Sequence, residues 1–385
     1  MAVYIVFILV LVLLANLPKV SPGVRDFLVA GISFFFVGLR FEMAYDWPYY
    51  KEMFDYLSQY PFPQFLRNFV AIQLQYPAEL GFLFLTYVFS QVVPDYEWFQ
   101  SALYFAFLCS FWTLGRAVGC KNISAALIIV HLFLLFTLEF STIRQAFAVS
   151  LFNFGLAAYL RGRGAMAFLL VSLSLFFQFS ALLYIGALLL AATSTKRMWL
   201  SAVMVLFLAF PLVFPGVILS LIPIFPSRIA DKLVFYFTER DLDLNILEAI
   251  FAVTFYVLIV VMSFRVSYVW RRSFDPRLYF LLRFLLVMSI VALVFIPEHV
   301  IRNRIFYEVV IVFSLLAFSP YRIARSRYVW PVIAMGTVFM LVSFTRPSTF
   351  MYVPYQNYVV NSVLGLSGDG EDRNRRYRQL LEESR

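Results

Sequence analysis

The sequence predicts an all-α, polytopic integral membrane protein, and three observations predict it. Hydrophobic residues make up 62% of the chain and charged residues 14%, with a mean hydropathy of +0.83. Apolar segments of roughly bilayer-spanning length recur from Ala2 to Phe344. The connections between them sort almost every acidic residue to one side. Such a chain cannot be a soluble globule. With no long polar stretch, it reads as one bundle over residues 1–345, followed by a polar, partly disordered tail at 346–385.

The segments fall at roughly 2–18, 26–39, 98–114, 123–138, 142–160, 165–177, 179–192, 199–221, 246–263, 278–296, 305–318 and 329–344, which gives about twelve crossings. The first carries no basic residue ahead of it and has Lys19 behind it, so it is an uncleaved helix and not a signal peptide. Several segments are short and call for tilt or a thinned bilayer. Cys109 lies inside a span and Cys120 in a basic loop, with neither a disulfide framework nor metal-ligand spacing.

Residues 79–93 decide the topology. Counted as a crossing, they would put the basic loops at Arg116/Lys121, Arg161/Arg163, Lys196/Arg197, Arg265/Arg271/Arg272/Arg277 and Arg322/Arg325/Arg327 outside, against the positive-inside rule. As a re-entrant or interfacial helix, they make all five loops cytoplasmic, with Lys19 and Arg25. The cytoplasmic loops then hold fifteen of 31 Lys/Arg but only Asp26 and Asp275 of the 22 acids. Both termini lie outside, and function belongs to the outer face.

Four outward stretches carry more polarity than a connection needs. In residues 38–50, Arg40, Glu42 and Asp46 leave a span beside Trp47, Tyr49 and Tyr50, aromatics that suit an interfacial belt or a sugar platform. In residues 138–152, Glu139, Arg144 and Gln145 sit in a tight turn. A cation in the first helical turn is disfavoured unless an anion is near, and Glu139 or a ligand phosphate would supply one. Residues 177–182 place Gln178 and Ser180 in another turn, where they cap helices or line a site. Residues 296–308 gather Glu298, His299, Arg302, Arg304 and Tyr307, the densest polar cluster at membrane level. His131, inside a span, reads as a hydrogen-bonded packing residue.

The outer loop 222–245 adds Arg228, Lys232 and Arg240 as a lid over the site. Its Asp241 and Asp243 have the spacing of a D-x-D, but Asn245 with Glu248 forms a capping box for the next span, so the acids belong to a solvated helix entrance. No P-loop, dinucleotide fingerprint, zinc-protease or serine-hydrolase motif is present. The net charge of +9 reads as topology and not as nucleic-acid binding. Neither a metal nor a cofactor is called for.

Arginines gathered at a membrane interface suit an anionic headgroup on a long apolar tail, since guanidinium forks pair with phosphate bidentately. Carboxylates, amides and aromatics beside them suit a sugar. Together they point to glycosyl transfer from a polyprenyl diphosphate on the non-cytoplasmic side.

The order of Gly38-Leu39-Arg40-Phe41-Glu42, Asp46-Trp47, Tyr49-Tyr50, Glu79 with Gly81-Phe82, Ile143-Arg144-Gln145-Ala146, Phe179-Ser180-Ala181-Leu182, Arg304 with Tyr307, and Val353-Pro354-Tyr355 resembles the EpsG family of bacterial exopolysaccharide polymerases, relatives of Wzy-type O-antigen polymerases. The resemblance implies a GT-C-like bundle in the bacterial inner membrane, with its active site facing the periplasm or exterior. It also implies an undecaprenyl-diphosphate-linked oligosaccharide as substrate, and a chain-length regulator as a partner.

In that reading Arg144, Arg302 and Arg304 hold the donor diphosphate, with Arg40, Gln145, Gln178, Tyr49 and Tyr307 completing the diphosphate and sugar subsites. Asp46, Glu139 and Glu42, in that order, or His299, deprotonate the acceptor hydroxyl in an inverting displacement. The chain departs from the family at Leu80, where a proline is usual, and at Gln178 and Phe179, which stand where a histidine is usual before the serine turn. The alternatives are a lipid-linked glycosyltransferase, an O-antigen-ligase-like enzyme, and a flippase or transporter. A transporter would place charges at mid-membrane and show internal repeats, and neither is seen.

Overall fold

The computed structural model describes residues 1–44, 46–192, 246–269, 275–295, 299–319, 329–344 and 351–383. These form sixteen α-helices and two π-turns, and among them there is no strand, only an isolated bridge between Arg40 and Asn357. The predicted span at 199–221 and the lid at 222–245, with Arg228, Lys232, Arg240, Asp241, Asp243 and Asn245, lie outside the described residues, as does Glu298. The chain divides into two compact units, residues 1–181 with 314–385, and residues 182–313.

In the first unit, α1 (Ala2–Ala15), α2 (Pro22–Ser33), α6 (Tyr96–Val118), α7 (Ile123–Leu134), α8 (Ile143–Leu160) and α9 (Gly164–Phe177) run up and down in alternation. Local chemistry fixes their ends. Ser21 caps α2 by accepting from the Val24 N–H, with Pro22 in the first helical turn. Asn122 caps α7 by accepting from the Ala125 N–H. Gly119, in the left-handed region at φ 71°, stops α6.

Two helices are too short alone. α2 continues into the π-turn Phe34–Gly38 and α7 into the π-turn Leu135–Glu139, which brings each to a length of about 25 Å at ~1.5 Å per residue. Among the described residues, three helices are long and apolar enough to cross a bilayer unaided, at Tyr96–Val118, Ile143–Leu160 and Pro276–Leu293. Shorter apolar helices make up the rest, as expected for a membrane protein whose spans tilt or borrow polar flanks.

Contacts between helix ends sort the charges of this unit. At one end, Arg25 donates to the Ala15 carbonyl, Ser124 donates to Asp26, the Lys121 N–H donates to the Phe318 carbonyl, and Arg161 donates to the Thr113 carbonyl. At the other end, Ser101 donates to the Gly38 carbonyl, Gln100 to the Arg40 carbonyl, and Ser180 to Gln145. The basic loops share the first end, and Arg40, Asp46, Glu79 and Glu139 share the second.

The predicted outer loop 40–78 is itself largely helical. It contains α3 (Trp47–Ser58) and α4 (Phe62–Gln75), which pack with α5 (Leu80–Val92) on an aromatic core of Tyr50, Phe54, Phe65, Phe82, Tyr87 and Phe99. Phe65 stacks on Tyr87 at 3.9 Å, and Tyr50 meets Phe82 edge-on at 5.4 Å. Helix α5 covers 13 residues, about 20 Å at ~1.5 Å per residue. It starts beside Arg144 in the first turn of α8 and finishes where Gln91 donates to the Leu57 and Ser58 carbonyls at the end of α3. Phe89 then packs on Phe99 in the first turn of α6. Both ends of α5 therefore meet the acid-bearing end of this unit.

The second unit holds α10 (Ala181–Ala192), α11 (Ile246–Val269), α12 (Pro276–Val294) and most of α13 (His299–Ala317). Helix α13 begins six residues before the predicted span 305–318, so residues 299–304 are helical turns and not loop. Charged residues lowered the hydropathy there, but arginine is a good helix former. Helix α14 (Val329–Ser343) returns to the first unit.

The tail also differs from expectation. Residues 351–383 carry α15 (Tyr358–Leu364) and α16 (Gly370–Glu383), hydrogen-bonded to residues 39–44. The tail therefore sits at the same end as Arg40 and Glu42, because it brings donors and acceptors that the irregular loop 39–46 cannot supply to itself.

Candidate functional site

A single ion pair organises the acid-bearing end. Arg144 lies in the first turn of α8, where the exposed N–H groups of the helix start repel a cation. Its Nη1 is 2.7 Å from Oε2 of Glu79, both side chains being about one-fifth exposed. The other Glu79 oxygen accepts from the Phe179 N–H at 3.3 Å. One carboxylate thus joins the start of α5, the start of α8 and the turn after α9.

The acid beside Arg144 is therefore Glu79, while Glu139, the acid nearer in sequence, is held by His131. Gly81 makes this approach possible. A Cβ there would sit 2.7 Å from the Phe176 carbonyl oxygen, so any side chain would push α5 off α9.

Asp46 closes loop 39–46 and precedes α3. Burial pushes its carboxyl up to about 7, while the nearby Arg144 charge holds it down. Tyr49, 36% exposed, lies one turn on and packs at 5.9 Å from Tyr76, whose hydroxyl donates to Glu52 at 3.0 Å. Gln145 is buried beside Arg144 and accepts from Ser180 at 3.1 Å. Ser180 is thus tied to α8 through its side chain. The Gln178 carbonyl accepts from the Ala181 N–H, which closes the turn, and its side-chain Oε1 is buried without a partner. Asp46, Tyr49, Glu79, Arg144, Gln145 and Gln178 all belong to this end of the first unit.

Three other candidates from this unit are committed elsewhere. Glu139 is 2% exposed, and its Oε2 lies 2.7 Å from Nδ1 of His131, whose Nε2 is 2.9 Å from the Ser33 hydroxyl. His131 is the hydrogen-bonded packing residue the sequence suggested. Arg40 is 1% exposed, donates to the Val37 carbonyl at 2.9 Å, and lies 5.6 Å from the centre of the Phe140 ring. The π-turns Phe34–Gly38 and Leu135–Glu139 lead into these two buried charges. Glu42 accepts from the Gly370 N–H through its side chain and from Arg373 through its carbonyl.

In the second unit Arg302 is buried, Arg304 half-buried and Tyr307 buried on α13. Backbone contacts hold this stretch, since Tyr184 donates to the Arg304 carbonyl at 2.6 Å and Tyr256 to the Arg302 carbonyl at 3.4 Å. His299 opens the helix, and its side chain is outside the described residues. One turn beyond Arg304, Glu308 is fully buried, with neither carboxyl oxygen hydrogen-bonded. Among the described residues, no three His, Cys, Asp or Glu side chains are gathered to hold a metal ion.

Sequence reasoning named Glu79 only as part of a pattern and gave Arg373 no role. The first had a signal, because an arginine at a helix start demands an acid. The nearest acid in sequence had simply been preferred to one 65 positions away. Arg373 had none, lying in a tail whose composition resembles solvated chain.

Neither a curated protein nor a solved structure matches this sequence. The model of the EpsG family matches residues 25–357, which covers Asp46, Glu79, Arg144, Gln145 and Gln178. The chain belongs to the EpsG family.

Proposed function

We propose that this protein polymerises oligosaccharide repeat units carried on undecaprenyl diphosphate, in a GT-C-like bundle at the outer face of the bacterial inner membrane. EpsG membership supports a polysaccharide polymerase role in the membrane. The observation that supports the finer reading is the half-buried Arg144, held 2.7 Å from Glu79, with Asp46 near enough to feel its charge.

In the reaction, Asp46 takes the proton of an acceptor sugar hydroxyl as that oxygen attacks the anomeric carbon of the donor. The bond from that carbon to the phosphate oxygen breaks, and its electron pair leaves on undecaprenyl diphosphate. Arg144 stabilises the charge on the leaving diphosphate. Gln145 and Gln178 orient polar groups, and Tyr49 offers an aromatic face to a sugar. Attack opposite the leaving group inverts the anomeric centre, with no covalent enzyme intermediate.

The test is deletion of the gene in its host, with complementation by wild type and by Arg144→Ala, and with surface and lipid-linked glycans resolved by gel and mass spectrometry. Long polymer lost while single repeats persist, and restored only by wild type, is the expected result. Full-length glycan stranded on its lipid would assign a ligase or exporter instead.

A further inference from the structure

The C-terminal segment beyond residue 357 lies outside the stretch that the family model matches, yet it is bound to the loop that presents Asp46. Arg373, in the first turn of α16, is only 8% exposed. Its Nη1 donates to the Met351 carbonyl at 3.3 Å and the Pro354 carbonyl at 3.0 Å. Its Nη2 donates to the Glu42 carbonyl at 3.0 Å and to Oε1 of Gln356 at 3.1 Å. Its Nε lies 2.7 Å from Asp369. With both Nη groups donating to four protein oxygens and Nε beside Asp369, this guanidinium holds the chain.

What it holds is strained. Glu42 and Ala44 have φ of 48° and 85°, in the left-handed region, which is disfavoured for a residue with a Cβ. Such conformations persist only where the surroundings over-determine them. The surroundings here come from the tail. The Phe41 N–H donates to the Gln356 carbonyl, the Ala44 N–H to the Met351 carbonyl, and the Gly370 N–H to Oε2 of Glu42. The packing is close enough that a Cβ on Gly370 would lie 2.5 Å from the Glu42 carbonyl oxygen. Asp46 follows Ala44 by two residues.

We infer that Arg373 is a positioning residue for Asp46, and that the C-terminal segment is a fixed part of the site. The inference rests on the reading of Asp46 as the general base. Without the clamp, loop 39–46 relaxes out of its left-handed turns and the carboxyl moves from the place where it meets the acceptor hydroxyl. A misplacement on the order of 1 Å costs catalysis roughly 100-fold.

The experiment uses the full-length protein in lipid nanodiscs with a synthetic undecaprenyl-diphosphate repeat unit. It measures kcat and KM from acid to alkaline pH for wild type, Arg373→Ala, Arg373→Lys and Asp46→Asn. Arg373→Ala is expected to lower kcat by about 10- to 100-fold, with little change in KM and a displaced pH limb. Arg373→Lys, which reaches some of the same carbonyls, recovers part of the loss.

Amide exchange across residues 41–46 supplies a readout independent of turnover, and it should quicken in Arg373→Ala. Gly370→Ala, which crowds the same contact from the other side, should give the same signature if Arg373→Ala fails to fold. Wild-type kcat and pH profile in Arg373→Ala, or unchanged exchange at 41–46, would overturn the inference while leaving the assignment of Asp46 intact. Full activity in Asp46→Asn would overturn both.

Discussion

Replacement of Arg144 by lysine tests whether the fork, and not merely the charge, is used. Nη1 lies 2.7 Å from Glu79, and among the described residues Arg144 makes no other ion pair, so Nε and Nη2 remain to meet a ligand. A lysine at this position has one nitrogen, which Glu79 captures, and the diphosphate is left with a neutralised ammonium in place of a free pair of donors. Each charge-assisted hydrogen bond lost is worth about 1.5–3 kcal/mol. At ~1.4 kcal/mol per factor of ten, loss of even one bond of that pair should slow polymerisation in Arg144→Lys roughly 10- to 100-fold, and loss of both by more. Glu79→Gln should cost less, because the fork survives and only its orientation is loosened. The assay is chain growth on a synthetic lipid-linked repeat unit by purified protein in nanodiscs, read by gel and mass spectrometry. Turnover of Arg144→Lys within about threefold of wild type, a loss well below one charge-assisted hydrogen bond, would refute a phosphate-binding fork at this position.

Further outcomes follow from the same geometry. Because burial holds the folded Asp46 carboxyl near 7, well above its unfolded value, its ionisation destabilises the fold progressively as pH rises from the ordinary carboxylate range to about 7. Asp46→Asn should therefore gain thermal stability over wild type across that interval and keep a constant advantage above it; parallel melting profiles at every pH would mean that Asp46 is solvated. Glu139→Gln, which can still hydrogen-bond to His131, should keep its activity, whereas Glu139→Ala should lose about 1–3 kcal/mol by leaving His131 unsatisfied. A well-folded but inactive Glu139→Gln would restore Glu139 as a base. With Cys109 and Cys120 replaced, an impermeant thiol reagent on intact cells should label cysteines at Pro77, Gln91 and Glu371 and reach one at Gly162 only after lysis. Opposite labelling of Pro77 and Gln91 would make α5 a crossing.

Much of this fold was legible because a bilayer reads sequence coarsely. Hydropathy marks a helix such as α8 within a residue or two, and it needs no knowledge of what α8 packs against. It failed where charge and helix coincide, at His299–Arg304, and where an amphipathic pair such as α3 and α4 lies outside the spans. The site was half legible. Asp46, Arg144 and Gln145 stood out by residue type and position, but Glu139 could not be separated from Glu79 without knowing which way the π-turn at Leu135–Glu139 directs its last side chain. That turn aims Glu139 at His131, inside the bundle.

The course of α5 explains why the acid beside Arg144 is remote in sequence. Had residues 79–93 crossed the bilayer, only one end of α5 could reach the acid-bearing end, and the α3–α5 packing that carries Tyr49 and Asp46 would lose one of its walls. Because α5 returns, Glu79 at its start is held against both Arg144 and the Phe179 N–H, while its far end is held by Gln91 on the last carbonyls of α3. The helix that carries Arg144 and the helix that follows Asp46 are thereby braced by a single 13-residue element. On the parity expected from the basic loops, the carboxylate that orients Arg144 would lie on the side opposite to them.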